Sequence, residues 1–224
     1  MNNTMSLYDD RKSEIEFYYS IMLEIDGDSQ KIRTVDNSRF LRILKSNFLL
    51  MLYNMVEACI VSGMMEIYEN LKANTNSYSD LISEIQVIWS NYEIGKVYSS
   101  QGGRKAFEGR VQEIINQVIS SQPIILRREA FRIGGNFDAK AIKDLCDKHR
   151  IRYVASDDDG CLLTVKTKRN NLAHGDESFG DCARDMTLTD LEHIKDEVCN
   201  FVKSILDGMK NYNDGKQYLL SSSS

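Results

Sequence analysis

The chain has 224 residues, 42% of them apolar and 27% charged, and its 33 acidic against 28 basic side chains leave a formal net charge of −5. That profile belongs to a globular protein long enough for a substantial core, and it argues against disorder and against indiscriminate nucleic-acid binding, which relies on neutralising phosphates. The acidic N-terminal stretch lacks the basic and apolar regions of an export signal, so the expected location is the cytoplasm.

A single proline and apolar residues recurring at three- and four-residue spacing predict an all-α helical bundle. One domain is expected over residues 1–220, followed by a low-complexity serine tail at 221–224. The first helix is expected from Leu7 to Ile25, with Ile15, Tyr18, Met22 and Ile25 on one stripe, and a polar connection follows from Asp26 to Asn37. Ser38 to Leu71 is apolar on nearly every side at its centre. Asn54, Glu57 and Glu66 interrupt it, so a buried central helix is expected rather than a membrane span. A third helix fits Tyr78 to Tyr92, opened by Ser79-Asp80. Beyond Gly102-Gly103 a fourth fits Lys105 to Ser120, on Phe107, Val111, Ile114, Ile115 and Val118.

Pro123 closes that helix, and the apolar run Ile124 to Ile133 before Gly134-Gly135 admits a short extended or hairpin insertion near 124–135. Asp138 is the expected N-cap of a helix through His149, with Ala141, Ile142 and Leu145 inward. Ser156 to Gly160 turns the chain into a helix carrying Leu162, Val165 and Leu172, which stops at Gly175. Thr189 with Glu192 forms a candidate capping box for the last helix, on Leu191, Ile194, Val198, Phe201, Ile205 and Met209. Between Gly95 and Ala155 there are twelve Lys/Arg against six Asp/Glu, which reads as a local basic surface or as a solvated face. The five cysteines, at 59, 146, 161, 182 and 199, show neither CxxC nor CxxH spacing and read as reduced core residues. Neither a metal site nor a cofactor is expected.

The candidate chemistry lies in Arg169-Asn170-Asn171-Leu172-Ala173-His174. Five residues along a continuous helix turn the side-chain direction by about 140° over a rise of about 7.5 Å, so the two ends of this motif would not share a face. Unwinding after Ala173, next to the glycine stop, removes that objection. Phosphodiester cleavage needs a group that moves a proton and a permanent cation that holds the phosphate as charge builds on it. Histidine and arginine are the residue types for those tasks. As bare spacing, the pattern is equally a surface arginine beside a capping histidine. Asn54 and Glu57, three apart on an apolar helix, need partners. Glu57 either orients Arg169 or His174 or makes an internal salt bridge. Lys166 and Lys168 either draw RNA toward the motif or belong to a solvated helical face. Ser178 and Phe179 position the loop that follows, while His149 and His193 are expected at the surface.

RNNLAHG resembles the RxxxxH signature of the HEPN superfamily (higher eukaryotes and prokaryotes nucleotide-binding). Other stretches are similar to a nuclease-like bacterial branch found in defence and toxin–antitoxin systems: Lys45-Ser46-Asn47-Phe48, Leu52 to Glu57, Gly135 to Ile142 and Lys166 to Phe179. With the helical ends included, the likeness covers most of the chain. It implies a HEPN-like bundle that forms a homodimer with two motifs facing one cleft, and metal-independent RNA cleavage. It also implies a toxin or defence effector working beside an antitoxin or another defence-system protein. Under that resemblance Arg169 binds and polarises the scissile phosphate and His174 is the general acid or base. Asn170 bonds the phosphate or holds the histidine, unless it caps local backbone. Attack by a 2′-hydroxyl leaves a cyclic phosphate. The alternative is a non-catalytic module that binds nucleotide or RNA or assembles a defence complex.

Overall fold

The computed structural model describes residues 1–27, 37–99, 103–131, 137–154 and 160–220. Its α-helices are α1 (Asn2–Gly27), α2 (Asn37–Ala73), α3 (Ser83–Ser99), α4 (Arg104–Ile119), α5 (Ala139–His149), α6 (Gly160–His174) and α7 (Leu188–Asp214). Two short 3-10 turns, Tyr78–Asp80 and Arg128–Phe131, lie in the connections. Among the described residues there is no strand, only isolated bridges from Ser77 to Pro123 and from Leu81 to Leu219.

α2 sits at the centre because its apolar residues occupy most of its circumference. Phe48, Leu52, Met55, Val56, Cys59, Ile60, Met64, Ile67 and Leu71 have no exposed surface. A helix buried on most sides needs neighbours on most sides, and α1, α6 and α7 pack around it. Each large aliphatic side chain buried in this way contributes about 1.5–3 kcal/mol, so together they outweigh any polar contact described below. By length and hydropathy α2 is apolar enough to cross a membrane, but more than half of its apolar window is buried inside the bundle. One seam stays open to solvent: Asn54 is exposed and Glu57 half-buried. The polar groups that spacing placed in the core therefore lie at the rim of α2.

α1 starts at Asn2 rather than Leu7, anchored by the Thr4 hydroxyl, which lies 2.9 Å from Ser62 and 2.7 Å from Glu66 on α2. The predicted third helix is divided. Ser77 and Asp80 cap the 3-10 turn, and α3 begins only at Ser83. The box opening α7 is Thr187 with Asp190, not Thr189 with Glu192. Both pairs have the right spacing, and the Asp190 carboxylate decides by accepting the Thr187 N–H at 2.8 Å. α4 buries no residue fully; Ile114 and Val118 pack toward the core, while Phe107 and Ile115 remain exposed. Within the insertion expected near 124–135, residues 124–127 have no regular structure and Arg128–Phe131 forms a 3-10 turn. Its remainder, most of the 26–37 connection, the turn at 156–159 and the tail at 221–224 lie outside the described residues.

All five cysteines are buried free thiols. Burial pushes the Cys59 and Cys146 thiols up to about 12, and those of Cys182 and Cys199 up to about 11, which leaves these four unreactive near neutral pH.

Candidate functional site

α6 packs on α2 and α7 through Cys161, Leu162 and Val165, which are buried. At 100° per residue, Leu163, Thr167, Asn170 and His174 fall on one outward stripe, and Arg169 falls on the inward flank near Leu162 and Val165. The exposures follow this: Leu163 and His174 are exposed, Arg169 half-buried. The helix remains regular through His174. It ends at Gly175, whose φ of +78° is a left-handed conformation that favours glycine. There the Gly175 N–H donates to the Leu172 carbonyl at 3.3 Å and the Asp176 N–H to the Asn171 carbonyl at 2.8 Å, a Schellman ending. The expected unwinding after Ala173 does not occur. Arg169 and His174 therefore point about 140° apart and do not converge within one chain.

Arg169 lies over Tyr53, its guanidinium carbon 4.7 Å from the ring centroid. Such a contact stabilises by about 0.5–2 kcal/mol according to how dry it is. Its Nη1 donates to Asn170 Oδ1 at 3.0 Å, so Asn170 touches the arginine. Tyr53 itself is fully buried on α2, and its hydroxyl accepts the Phe137 N–H at 3.2 Å. Sequence reasoning did not single out Tyr53, since an aromatic residue on a core helix reads as packing. Its contact with Arg169 arises from the crossing of α2 and α6, which no local pattern encodes.

The flanking lysines are engaged by carboxylates. Lys166 Nζ lies 2.8 Å from Asp138 Oδ2, while Asp138 Oδ1 accepts the Ala141 N–H at 2.8 Å and caps α5. Burial alone would raise the Asp138 pKa, but the Lys166 ammonium and the Ala141 amide hold it below the usual carboxylate range. Lys168 Nζ lies 3.1 Å from Glu177 Oε2. The segment after the motif is pinned to α2: the Ser46 hydroxyl donates to the Phe179 carbonyl at 2.8 Å, and Lys45 Nζ to the Met186 carbonyl at 2.6 Å. Within that segment the Ser178 hydroxyl donates to Asp181 at 2.6 Å.

Glu57 reaches neither motif residue. It pairs with Arg128 at 4.0 Å, a loose tie to the 3-10 turn worth about 1 kcal/mol at most, and Asn54 stays outside the motif's contacts. Other cations of the basic stretch are likewise matched: Arg110 with Glu93 and Glu113, Arg104 with Glu108, and Arg150 with Glu84. His193 is exposed as expected, but His149 is buried. It completes the Ile142, Leu145 stripe of α5, a signal masked by its charged neighbours. Its Nδ1–H donates to the Leu145 carbonyl at 2.8 Å, so Nε2 accepts from the Tyr68 hydroxyl at 2.7 Å. Burial pushes its pKa down to about 4. Among the described residues no three His, Cys, Asp or Glu side chains are grouped to hold a metal ion.

The profile of the HEPN_MAE_28990-like HEPN family matches residues 5–218, nearly the whole chain. No curated protein and no solved structure matches it.

Proposed function

Because the chain belongs to the HEPN_MAE_28990-like HEPN family, we propose that it is an endoribonuclease that cleaves RNA without a metal. It works as a homodimer in which two copies of Arg169 and His174 face one cleft. The observation that carries this reading is the divergence of the two residues on α6. Arg169 is turned inward over Tyr53 with no carboxylate partner among the described residues, and His174 is exposed on the outward stripe. One chain thus offers a phosphate grip and a proton carrier that do not meet. A second copy supplies the counterpart, and the outward stripe of α6, with Leu163 53% exposed, is a surface for it.

In that site one His174 takes the proton of a 2′-hydroxyl as the 2′-oxygen bonds to phosphorus. The bond from phosphorus to the 5′-oxygen breaks, and the protonated His174 of the second copy gives its proton to the departing oxygen. Arg169 holds the phosphoryl oxygens while their charge builds. The products are a cyclic phosphate and a 5′-hydroxyl, and DNA lacks the nucleophile. Residues 1–220 act as one domain in the cytoplasm, as a toxin or defence effector held by an antitoxin or another defence protein. The family resemblance supports this setting.

A second reading is a non-catalytic module that holds RNA or a nucleotide or assembles a defence complex. It is favoured by the pairing of Lys166 and Lys168 with carboxylates, which leaves the motif without free flanking lysines. The test is total RNA incubated in EDTA with the protein and with His174→Ala. Cleavage lost in the variant supports the nuclease; equal cleavage by both, or none by either, removes it.

A further inference from the structure

We propose that Tyr53 is a positioning residue for Arg169, a fixed aromatic platform that presents the guanidinium edge-on to a phosphate. This inference deepens the nuclease reading and rests on it for its kinetic consequence.

Arginine carries five N–H donors in the plane of its guanidinium and none on its faces. Here the guanidinium carbon lies over the Tyr53 ring, 4.7 Å from its centroid, and Nη1 is bonded to Asn170 Oδ1. No carboxylate lies within ion-pairing distance of Arg169 among the described residues. A half-buried cation with in-plane donors to spare and no anion beside it has the valence of a site for phosphate oxygens, which guanidinium binds two at a time along its edge.

The platform is itself held. Tyr53 has no exposed surface, and its hydroxyl accepts the Phe137 N–H at 3.2 Å. The next residue, Asp138, is tied to Lys166 at 2.8 Å, one helical turn before Arg169 on α6. The ring, the 137–138 segment, α6 and the guanidinium thus form a closed circuit of contacts. The circuit removes rotamer freedom from the arginine before a substrate arrives, and positioned charge stabilises a developing oxyanion without reorganising. It also assigns a task to the Phe137-Asp138 block, which ties Tyr53 to Lys166.

Two variants separate the ring from its hydroxyl: Tyr53→Leu removes the platform, and Tyr53→Phe keeps the ring and its volume. For RNA cleavage, Tyr53→Leu is expected to lower kcat about tenfold to a hundredfold with KM changed less than about threefold, and Tyr53→Phe to recover most of that loss. The second readout needs no catalysis. The Arg169 Nε–Hε resonance should be ring-shifted and respond to inorganic phosphate in the unaltered protein and in Tyr53→Phe, and lose its ring shift in Tyr53→Leu. If Tyr53→Leu retains both kcat and the shifted resonance, or if Tyr53→Phe is as impaired as Tyr53→Leu, the platform is wrong. If the unaltered protein cleaves no RNA, the nuclease reading fails, and the resonance alone decides whether Tyr53 positions Arg169.

Discussion

Arg169 and His174 leave one unbroken helix about 140° apart, the arginine lying over a buried tyrosine and the histidine standing in solvent. Neither is part of the core, so each can be replaced without dismantling the bundle, and under the proposed homodimer their cooperation requires a cleft built by two chains.

Arg169→Ala and His174→Ala should each lower RNA cleavage by about two to four orders of magnitude. The melting temperature should barely move in His174→Ala and fall by about 2–4 °C in Arg169→Ala, which loses the contact with Tyr53. A dimer mixed from His174→Ala and the unaltered chain keeps both arginines but one histidine, so it lacks either the base or the acid of the proposed step. Co-expressed with different tags, the mixed dimer should cleave far more slowly than about half the rate of the unaltered dimer. A mixed dimer that keeps about half that rate would count against the composite site.

His149 gives stability a pH dependence of known sign. Its folded pKa of about 4 lies below the ordinary value of 6.5, so the unfolded chain takes the proton first as pH falls. Stability is full above about 6.5, falls by up to about 1.4 kcal/mol per pH unit, and the loss is complete near 4, about 3 kcal/mol in all. His149→Gln should start less stable at pH 7, because the Tyr68 bond is altered, but its melting temperature should fall less steeply between pH 6.5 and 4. Parallel curves for the two proteins would show that this histidine does not titrate as described.

Asp138 and Lys166 should behave as one unit. Asp138 caps α5 and pairs with α6, so Asp138→Ala should cost about 1–2 kcal/mol, and Asp138→Asn less, because asparagine still caps. Lys166→Met combined with Asp138→Asn should cost less than the sum of the two singly. The depressed Asp138 pKa means its contribution is present above about pH 4 and disappears as pH falls through the folded value. Chemical denaturation at pH 7 and pH 3 checks both points.

Two glycines on crossing helices should respond differently to alanine. A Cβ at Gly208 would overlap the carbonyl oxygen of Arg152, a backbone atom that cannot step aside, so Gly208→Ala should lose about 1–3 kcal/mol. At Gly63 the obstacle is the Met209 sulfur, the mobile part of a flexible side chain. Gly63→Ala should fall within about 1 kcal/mol of the unaltered protein, since alanine's helix propensity offsets the crowding. Urea midpoints measure both, and equal losses would contradict the geometry.

Much of the architecture was legible in the residues alone. The three- and four-residue apolar spacing located every helix from α1 to α7, because an amphipathic period must match the turn of the helix whatever packs on it. The glycine stop after His174 and the Asp138 cap were legible for the same local reason: their hydrogen bonds close within a few residues. The RNNLAHG motif and the blocks Leu52 to Glu57 and Gly135 to Ile142 likewise resemble the HEPN family, to which the chain belongs.

Tertiary structure decided the rest. Glu57 pairs with Arg128, seventy-one positions away by number, and Lys166 is claimed by Asp138 rather than left for RNA. His149 turned inward although its neighbours are charged, and Tyr53 became the bed of Arg169 only because α2 and α6 cross there. A long polar side chain finds its partner among residues brought together by core packing, and that choice depends on which helix faces lie against each other. The sequence alone therefore named the arginine and the histidine, whereas the fold decided that α6 stays straight between them, with one turned in toward Tyr53 and the other out toward solvent.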